Sequence, residues 1–266
     1  MPSQRDHLTM RRLRFLTSRH RAPSTNRALG LLLAFNAGAV NAGGFLVLHM
    51  YTSHMTGFAS QLADGLVLGN AKLLLNALGA VLAFLSGAAV CAVLVNWGRQ
   101  HHLHSVYALP LLLEAALMFP FGLMGAVTLT WATPFAVPLT VLLLSFIMGL
   151  QNAVASKTSG GSIRTTHMTG NITDLGIEIG KLLYWNGSAA PAAAVHHDRS
   201  RMRRAAGLIG MFVLGGAVGA LGFKYVGFVC VVPLAALLLA LSIPPFMRDL
   251  PRSRVLLRFA KGQARG

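Results

Sequence analysis

Two short segments carry the residue types best suited to chemistry. Thr52-Ser53-His54-Met55-Thr56-Gly57 recurs as Thr165-Thr166-His167-Met168-Thr169-Gly170. Each follows an asparagine, Asn41-Ala42 in the first copy and Asn152-Ala153 in the second, with Gln151 directly before Asn152. Histidine changes charge near neutral pH, so His54 and His167 could exchange protons; each could equally serve as a structural hydrogen-bonding group. Thr56 and Thr169 precede amphipathic runs, where a hydroxyl can cap a helix N-terminus. Gly57 and Gly170 let the backbone turn without a Cβ clash.

Asn171 opens the second run, which places Asp174, Glu178 and Lys181 on one helical face. The first run, Phe58 to Gly69, carries Gln61 and Asp64. Each run spans about a dozen residues, roughly 18 Å as helix, too short to cross a bilayer. Each therefore lies at the interface or re-enters as a half-helix. Two re-entrant N-termini would present free N–H groups and positive dipole ends toward the centre. With Arg164 and the Ser159-Gly160-Gly161-Ser162 stretch, that arrangement favours an anionic group. In the interfacial alternative, Arg164 meets phospholipid headgroups.

Glu114 sits in the middle of an apolar run, Leu111-Leu112-Leu113-Glu114-Ala115-Ala116-Leu117. An ionisable group there costs about 3 kcal/mol or more, which makes it a functional candidate by default. It is expected to couple protons or touch substrate; the plainer alternative is a protonated Glu bonded to a neighbouring helix. Asn36, Asn41, Asn76, Gln151 and Asn152 should face the bundle interior. His101-His102-Leu103-His104 and His196-His197 lack acidic or cysteine companions at ligand spacing, so no metal site is expected. Cys91 and Cys230 read as small buried apolar residues.

The elements that must position these groups follow from composition. Of 266 residues, 54% are hydrophobic and 11% charged, with a mean hydropathy of +0.59. Soluble domains carry about 25% charged residues, so a soluble enzyme is excluded. Six apolar runs reach spanning length: 28–50, 73–97, 106–129, 135–155, 206–223 and 226–246. The net charge of +16 comes from 23 Lys and Arg against 7 acids, and all but Lys72 and Lys224 of those bases fall on one side. The positive-inside rule then puts both termini in the cytoplasm of a bacterial inner-membrane protein. No nucleic-acid partner is needed to explain the charge. The bilayer is the expected partner, with anionic headgroups at the basic termini and scope for a homo-oligomer.

The fold expected is an all-α transmembrane bundle of six helices in two three-helix halves. The division is a disordered basic arm at 1–26, repeats at 27–130 and 131–247, and a basic tail at 248–266. Three spans per half is an odd number, so the second copy must run inverted, as in many secondary transporters. Leu109-Pro110-Leu111 and Val232-Pro233-Leu234 echo one another in the third spans.

The Arg164 to Gly176 run, with Gln151-Asn152 and the paired first-half motif, resembles the YoaK family of bacterial membrane proteins, a domain of unknown function. The resemblance covers about Arg27 to Met247. It implies a multi-pass membrane protein and supplies no reaction. Asn41 stands where that family usually has Asp, and Phe58 where Asn usually follows Thr-Gly.

Three functions fit. One is a small secondary transporter of a small anionic solute, with protons as coupling ion. The others are a passive channel on the same fold and a membrane-embedded interaction or sensory protein. No nucleophile elbow, metalloprotease motif, P-loop or dinucleotide fingerprint occurs, so neither an enzyme nor a cofactor is expected.

Overall fold

The computed structural model describes residues 23–130, 136–186 and 194–263. The expected arm up to residue 22 lies outside them. Among the described residues there is no strand. The chain forms α1 (Pro23–Leu48), α2 (Met55–Val67), α3 (Ala71–Gln100), α4 (Ala108–Thr130), α5 (Ala136–Ser159), α6 (Met168–Leu183), α7 (Arg199–Tyr225) and α8 (Val231–Gln263). A 3-10 turn, Gly227–Cys230, joins α7 to α8. Six of these helices, α1, α3, α4, α5, α7 and α8, are long and apolar enough to cross a membrane.

Two spans start earlier than hydropathy alone indicates, because a polar residue caps each. The Asn70 side chain accepts from Leu73 N at 3.0 Å and starts α3. Asp198 accepts from Ser200 N and Arg201 N and starts α7 at Arg199, ahead of the apolar run. At the other end of the chain, α8 continues to Gln263, through much of the expected basic tail.

Burial sorts the spans into a centre and a periphery. The most apolar stretches of α1 and α5 are 67% and 61% buried, those of α3 and α7 only 22% each. The first and fourth spans are therefore central, and the second and fifth present leucines and valines outward, among them Leu78, Leu82, Val213 and Leu221. Most polar groups of the spans lie inside: Asn36, Glu114, Thr140, Ser145 and Gln151 are fully buried. Asn76, expected inside, is instead exposed near the start of α3, which itself lies at the periphery.

The helices pair across the two halves. α1 packs along α7, α5 along α3, and α4 along α8, while α1 meets α5 in the middle. One sequence device makes the first two pairings close. Phe-x-x-Gly occurs in all four helices, as Phe35/Gly38, Phe84/Gly87, Phe146/Gly149 and Phe212/Gly215. A Cβ on Gly38 would run into the Phe212 carbonyl oxygen, and one on Gly215 into that of Phe35. Gly87 and Gly149 stand in the same relation to Phe146 and Phe84. Each pair is thus a reciprocal clasp in which the missing side chain admits the partner's backbone. Along α1 and α7 the contacts advance together, from Leu31 on Gly207 to Phe223 on Gly43, so these helices run parallel. α4 and α8 run antiparallel, with Ser105 N donating to Asp249 at one end and Gly125 against Phe228 at the other. These directions are those of a chain that crosses six times in alternation.

The clasps make a direct prediction. Gly38→Leu and Gly149→Leu should each destabilise the protein by roughly 1–3 kcal/mol, the usual cost of overpacking. Gly210→Leu, with nothing within 4 Å of its Cβ position, should be close to neutral. Unfolding of the purified protein in micelles measures both, and equal midpoints for Gly38→Leu and Gly210→Leu would refute the close contact.

Candidate functional site

The site begins where the two central spans stop being helical. After α1 the chain reverses at His49 (φ 51°), and after α5 at Gly160 and Gly161 (φ 62° and 85°). It then folds back along the helix it has just left. Ser53 Oγ donates to Asn41 Oδ1 at 3.1 Å. In the second copy, Thr165 Oγ1 and Thr166 N donate to Asn152 Oδ1 at 3.2 and 3.4 Å, and Asn152 Nδ2 donates to Thr166 Oγ1. Each asparagine lies about seven residues before its helix ends, so each return covers roughly 10 Å.

From these pins the short helices restart in matching geometry. His54 (φ −88°, ψ 70°) precedes α2, and His167 (φ −82°, ψ 60°) precedes α6. Met55 N donates to Ser53 O at 3.1 Å, and Met168 N to Thr166 O at 2.9 Å. The expected threonine caps are not formed. The capping position belongs to the histidine, no side chain caps either helix, and Thr56 and Thr169 lie inside the first turn. There their carbonyls accept from Ser60 and Thr173 hydroxyls. The glycines also serve differently from expectation. A Cβ on Gly57 or Gly170 would collide with the ring of His54 or His167, so each glycine makes room for the imidazole three residues earlier.

α2 folds back onto α3, where Gly65 packs on Leu74, and α6 folds back onto α7. Each is thus the return arm of a hairpin whose tip reaches the middle of the bundle. Between and beside these tips lie two cavities. One, of about 370 Å3, runs from Phe84 and Gly149 at mid-helix past Asn152 to Ser156 and Arg164. The other, of about 400 Å3, runs from Gly38 and Phe212 past Asn41 to Phe45 and Tyr51. They extend toward opposite ends of the bundle and share one wall: Ser53, His54, Thr166 and Met168. That wall is a septum built from both motifs. Its hydrogen bonds hold each motif to its own half; among the described residues, none joins one motif to the other.

The two vestibules occupy equivalent places and differ in chemistry. Arg164 stands three residues before His167; the corresponding residue before His54 is Tyr51. Ser156 stands four residues after Asn152; the corresponding residue after Asn41 is Phe45. Phe45 and Tyr51 stack with centroids 4.7 Å apart and rings 17° from parallel. The Arg164 vestibule also holds His54, His167, Thr56 and Thr169. Among the described residues, no hydrogen bond or ion pair engages the Arg164 guanidinium.

Glu114 lies in the core, fully buried, and outside both vestibules. Gln151 Nε2 and Asn36 Nδ2 both donate to its Oε1, at 2.6 and 3.4 Å. Three atoms remain without partners: Glu114 Oε2, Asn36 Oδ1 and Gln151 Oε1. Protonation of Glu114 at Oε2 adds one donor to this set, enough for one of the two orphaned carboxamide oxygens. Gln151 adjoins Asn152, so the cluster sits one residue from the pin of the second motif.

Asp174 and Glu178 are not brought to either cavity. Asp174 pairs with Arg201 at 2.8 Å. Glu178 accepts from Lys181 Nζ at 2.8 Å and from Asp198 N at 2.7 Å. Both carboxylates thus tie α6 to the start of α7. Asn171 likewise lies outside the vestibule linings; its Nδ2 is buried without a partner. Sequence reasoning did not single out Tyr51 or Phe45; the signal available was their positions relative to the two motifs.

The Lys181 and Asp198 hydrogen bonds hold the Glu178 carboxyl below its ordinary value of 4.5. A lowered folded value means that the tie stabilises the hairpin above about pH 4.5 and is lost as pH falls through that lowered value. Hydrogen exchange at the Asp198 amide, corrected for its intrinsic rate, should rise only in acid for the wild type. In Glu178→Gln it should be raised already at neutral pH. No change in that variant would show that the tie is not structural.

Comparison with known proteins agrees with this architecture. A family described as "Protein of unknown function (DUF1275)" matches residues 29–243. "UPF0700 transmembrane protein YoaK" of Bacillus subtilis (strain 168) is 30% identical over 158 residues, 58% of this chain and 67% of that protein. No solved structure matches the chain. The chain therefore belongs to the DUF1275 family, multi-pass membrane proteins whose function is not established.

Proposed function

We propose that this protein is a secondary transporter of a small solute, built from two inverted-topology halves and working by alternating access. The observation that carries the reading is the septum. Two vestibules approach from opposite ends of the bundle and stop at the same four side chains, contributed equally by the duplicated motifs. Volumes of 370 and 400 Å3 fall within the ~300–1,000 Å3 range of small-molecule sites. Irregular backbone at this depth is tolerated where protein buries it or where it lines a cavity, and the tips of both hairpins do the second. In this reading the protein lies in the bacterial inner membrane with both termini cytoplasmic, and Lys72 and Lys224 mark the outer end.

Glu114 is the coupling group in this scheme. It is a carboxyl enclosed by two carboxamides, with three acceptor oxygens of the set unsatisfied. Taking up or releasing a proton reverses whether Glu114 can donate. That re-sorts its bonds to Gln151 and Asn36, and Gln151 is continuous with the Asn152 pin. Different bonding in the two protonation states is what a coupling ion needs.

Purified protein in proteoliposomes tests both statements. With a panel of solutes, the wild type should show saturable counterflow and should accumulate solute under a pH gradient. Glu114→Gln keeps the shape and cannot exchange a proton. It should retain counterflow and lose gradient-driven accumulation. Unchanged accumulation in that variant would remove Glu114 from coupling, and absence of any saturable flux in the wild type would remove the transporter reading.

A further inference from the structure

The proposed function leaves open what the solute is, and the inequality of the two vestibules bears on it. Resting on the transporter reading, we infer that the solute is a small organic monoanion with an apolar, preferably aromatic, body, such as an aromatic carboxylate.

In alternating access one solute faces both vestibules in turn, so it must be accepted by both linings. One lining presents an unpaired guanidinium, Arg164, beside His167 and the amide of Asn152. A carboxylate answers that lining: it offers a guanidinium two acceptor oxygens in its own plane. A neutral solute brings no charge to pair with the guanidinium. The other lining replaces Arg164 by Tyr51 and Ser156 by Phe45 and adds Phe212, Val213 and Leu46. An inorganic anion finds no cation among those five. It would give up its hydration there for aromatic faces, whose quadrupole repels negative charge. A hydrocarbon ring gains there what it would lose in water.

The septum is compatible with the same class. Ser53, His54 and Thr166 offer hydroxyl and imidazole groups to a head group, and Met168 offers an adaptable apolar surface to a body. No hydrogen bond between the motifs has to break for a solute to pass.

The substitutions that separate the two halves define the test. Arg164 and Tyr51 are both exposed, so changing either removes recognition without emptying the core. Counterflow and equilibrium binding are measured on the full chain with phenylacetate, phenylacetamide, acetate and chloride. The wild type should prefer phenylacetate over phenylacetamide and over acetate by about tenfold or more each, the scale of one charged hydrogen bond and one buried ring. Chloride should not be exchanged. Arg164→Gln should lose the preference over phenylacetamide and keep the preference over acetate in counterflow. Tyr51→Ser should do the reverse.

Exchange of acetate, chloride or phenylacetamide as fast as phenylacetate overturns the solute class and leaves the transporter reading standing. Selective binding of phenylacetate with no flux of any solute overturns the transporter reading and leaves the ligand class standing. Saturation by short-chain phosphatidylglycerol with no response to phenylacetate overturns the class in favour of a lipid headgroup. Neither binding nor flux overturns both.

Discussion

Backbone that leaves a helix at the middle of a membrane protein must find its hydrogen bonds within the protein, because lipid offers none. Both loops meet it in part with short-range backbone bonds, His54 N to Tyr51 O at 3.0 Å and Met168 N to Thr166 O at 2.9 Å. The rest of this structure follows from how side chains then pin each loop to its helix. Asn41 and Asn152 each turn a carboxamide toward the chain that doubles back beside them, and Ser53, Thr165 and Thr166 answer. Two deep loops become fixed surfaces. Once they are fixed, α2 and α6 can start near mid-depth, and the space in front of them becomes two cavities separated by one septum. The carboxamide suits this task because it both donates and accepts. Asn152 uses the two functions together, and no carboxylate would do so without taking up a proton.

Close approach of the spans is the second condition. A central pair of helices can carry polar loops at mid-depth only if the outer helices seal around them. The two Phe-x-x-Gly clasps bring α7 onto α1 and α3 onto α5 with backbone against backbone. The central spans are accordingly two-thirds buried while their partners are largely open to lipid. The same exchange of partners, α1 with α7 and α5 with α3, makes each half incomplete alone. Neither half buries its own central span without the other's second helix.

Much of this was legible in the chain before its fold was known, and the reasons divide cleanly. The six spans, the duplicated His-Met-Thr-Gly segments and the buried acid are signals written in contiguous residues. The span ends were less legible at α7, where Arg199, Arg201, Arg203 and Arg204 depress hydropathy although Asp198 caps a continuous helix. The partners of Glu114 were not legible as partners, because Asn36 and Gln151 lie 78 and 37 residues away. The clasp was missed since one Phe-x-x-Gly carries no meaning until its mate is known. Asp174 and Glu178 drew notice as acids beside the best-defined motif. Their actual partners, Arg201 and the N–H of Asp198, belong to the next helix and make them fastenings of a hairpin.

The points at which the halves differ carry more functional information than the points at which they agree. Agreement at Asn41 and Asn152, or at His54 and His167, is what any chain with two such hairpins needs to hold their tips in place. Nothing in the packing requires Arg164 opposite Tyr51, or Glu114 where the matching residue in α8 is Leu237. Arg164 is unpaired at the edge of a cavity, and Glu114 is enclosed among unsatisfied acceptors. Burial among unsatisfied acceptors is an unfavourable place for Glu114 by stability alone, and the exposed Arg164 gains no partner from the packing. The pairing of the helices dictates neither, and in the transporter we propose Arg164 and Glu114 are the two groups left for solute recognition and coupling.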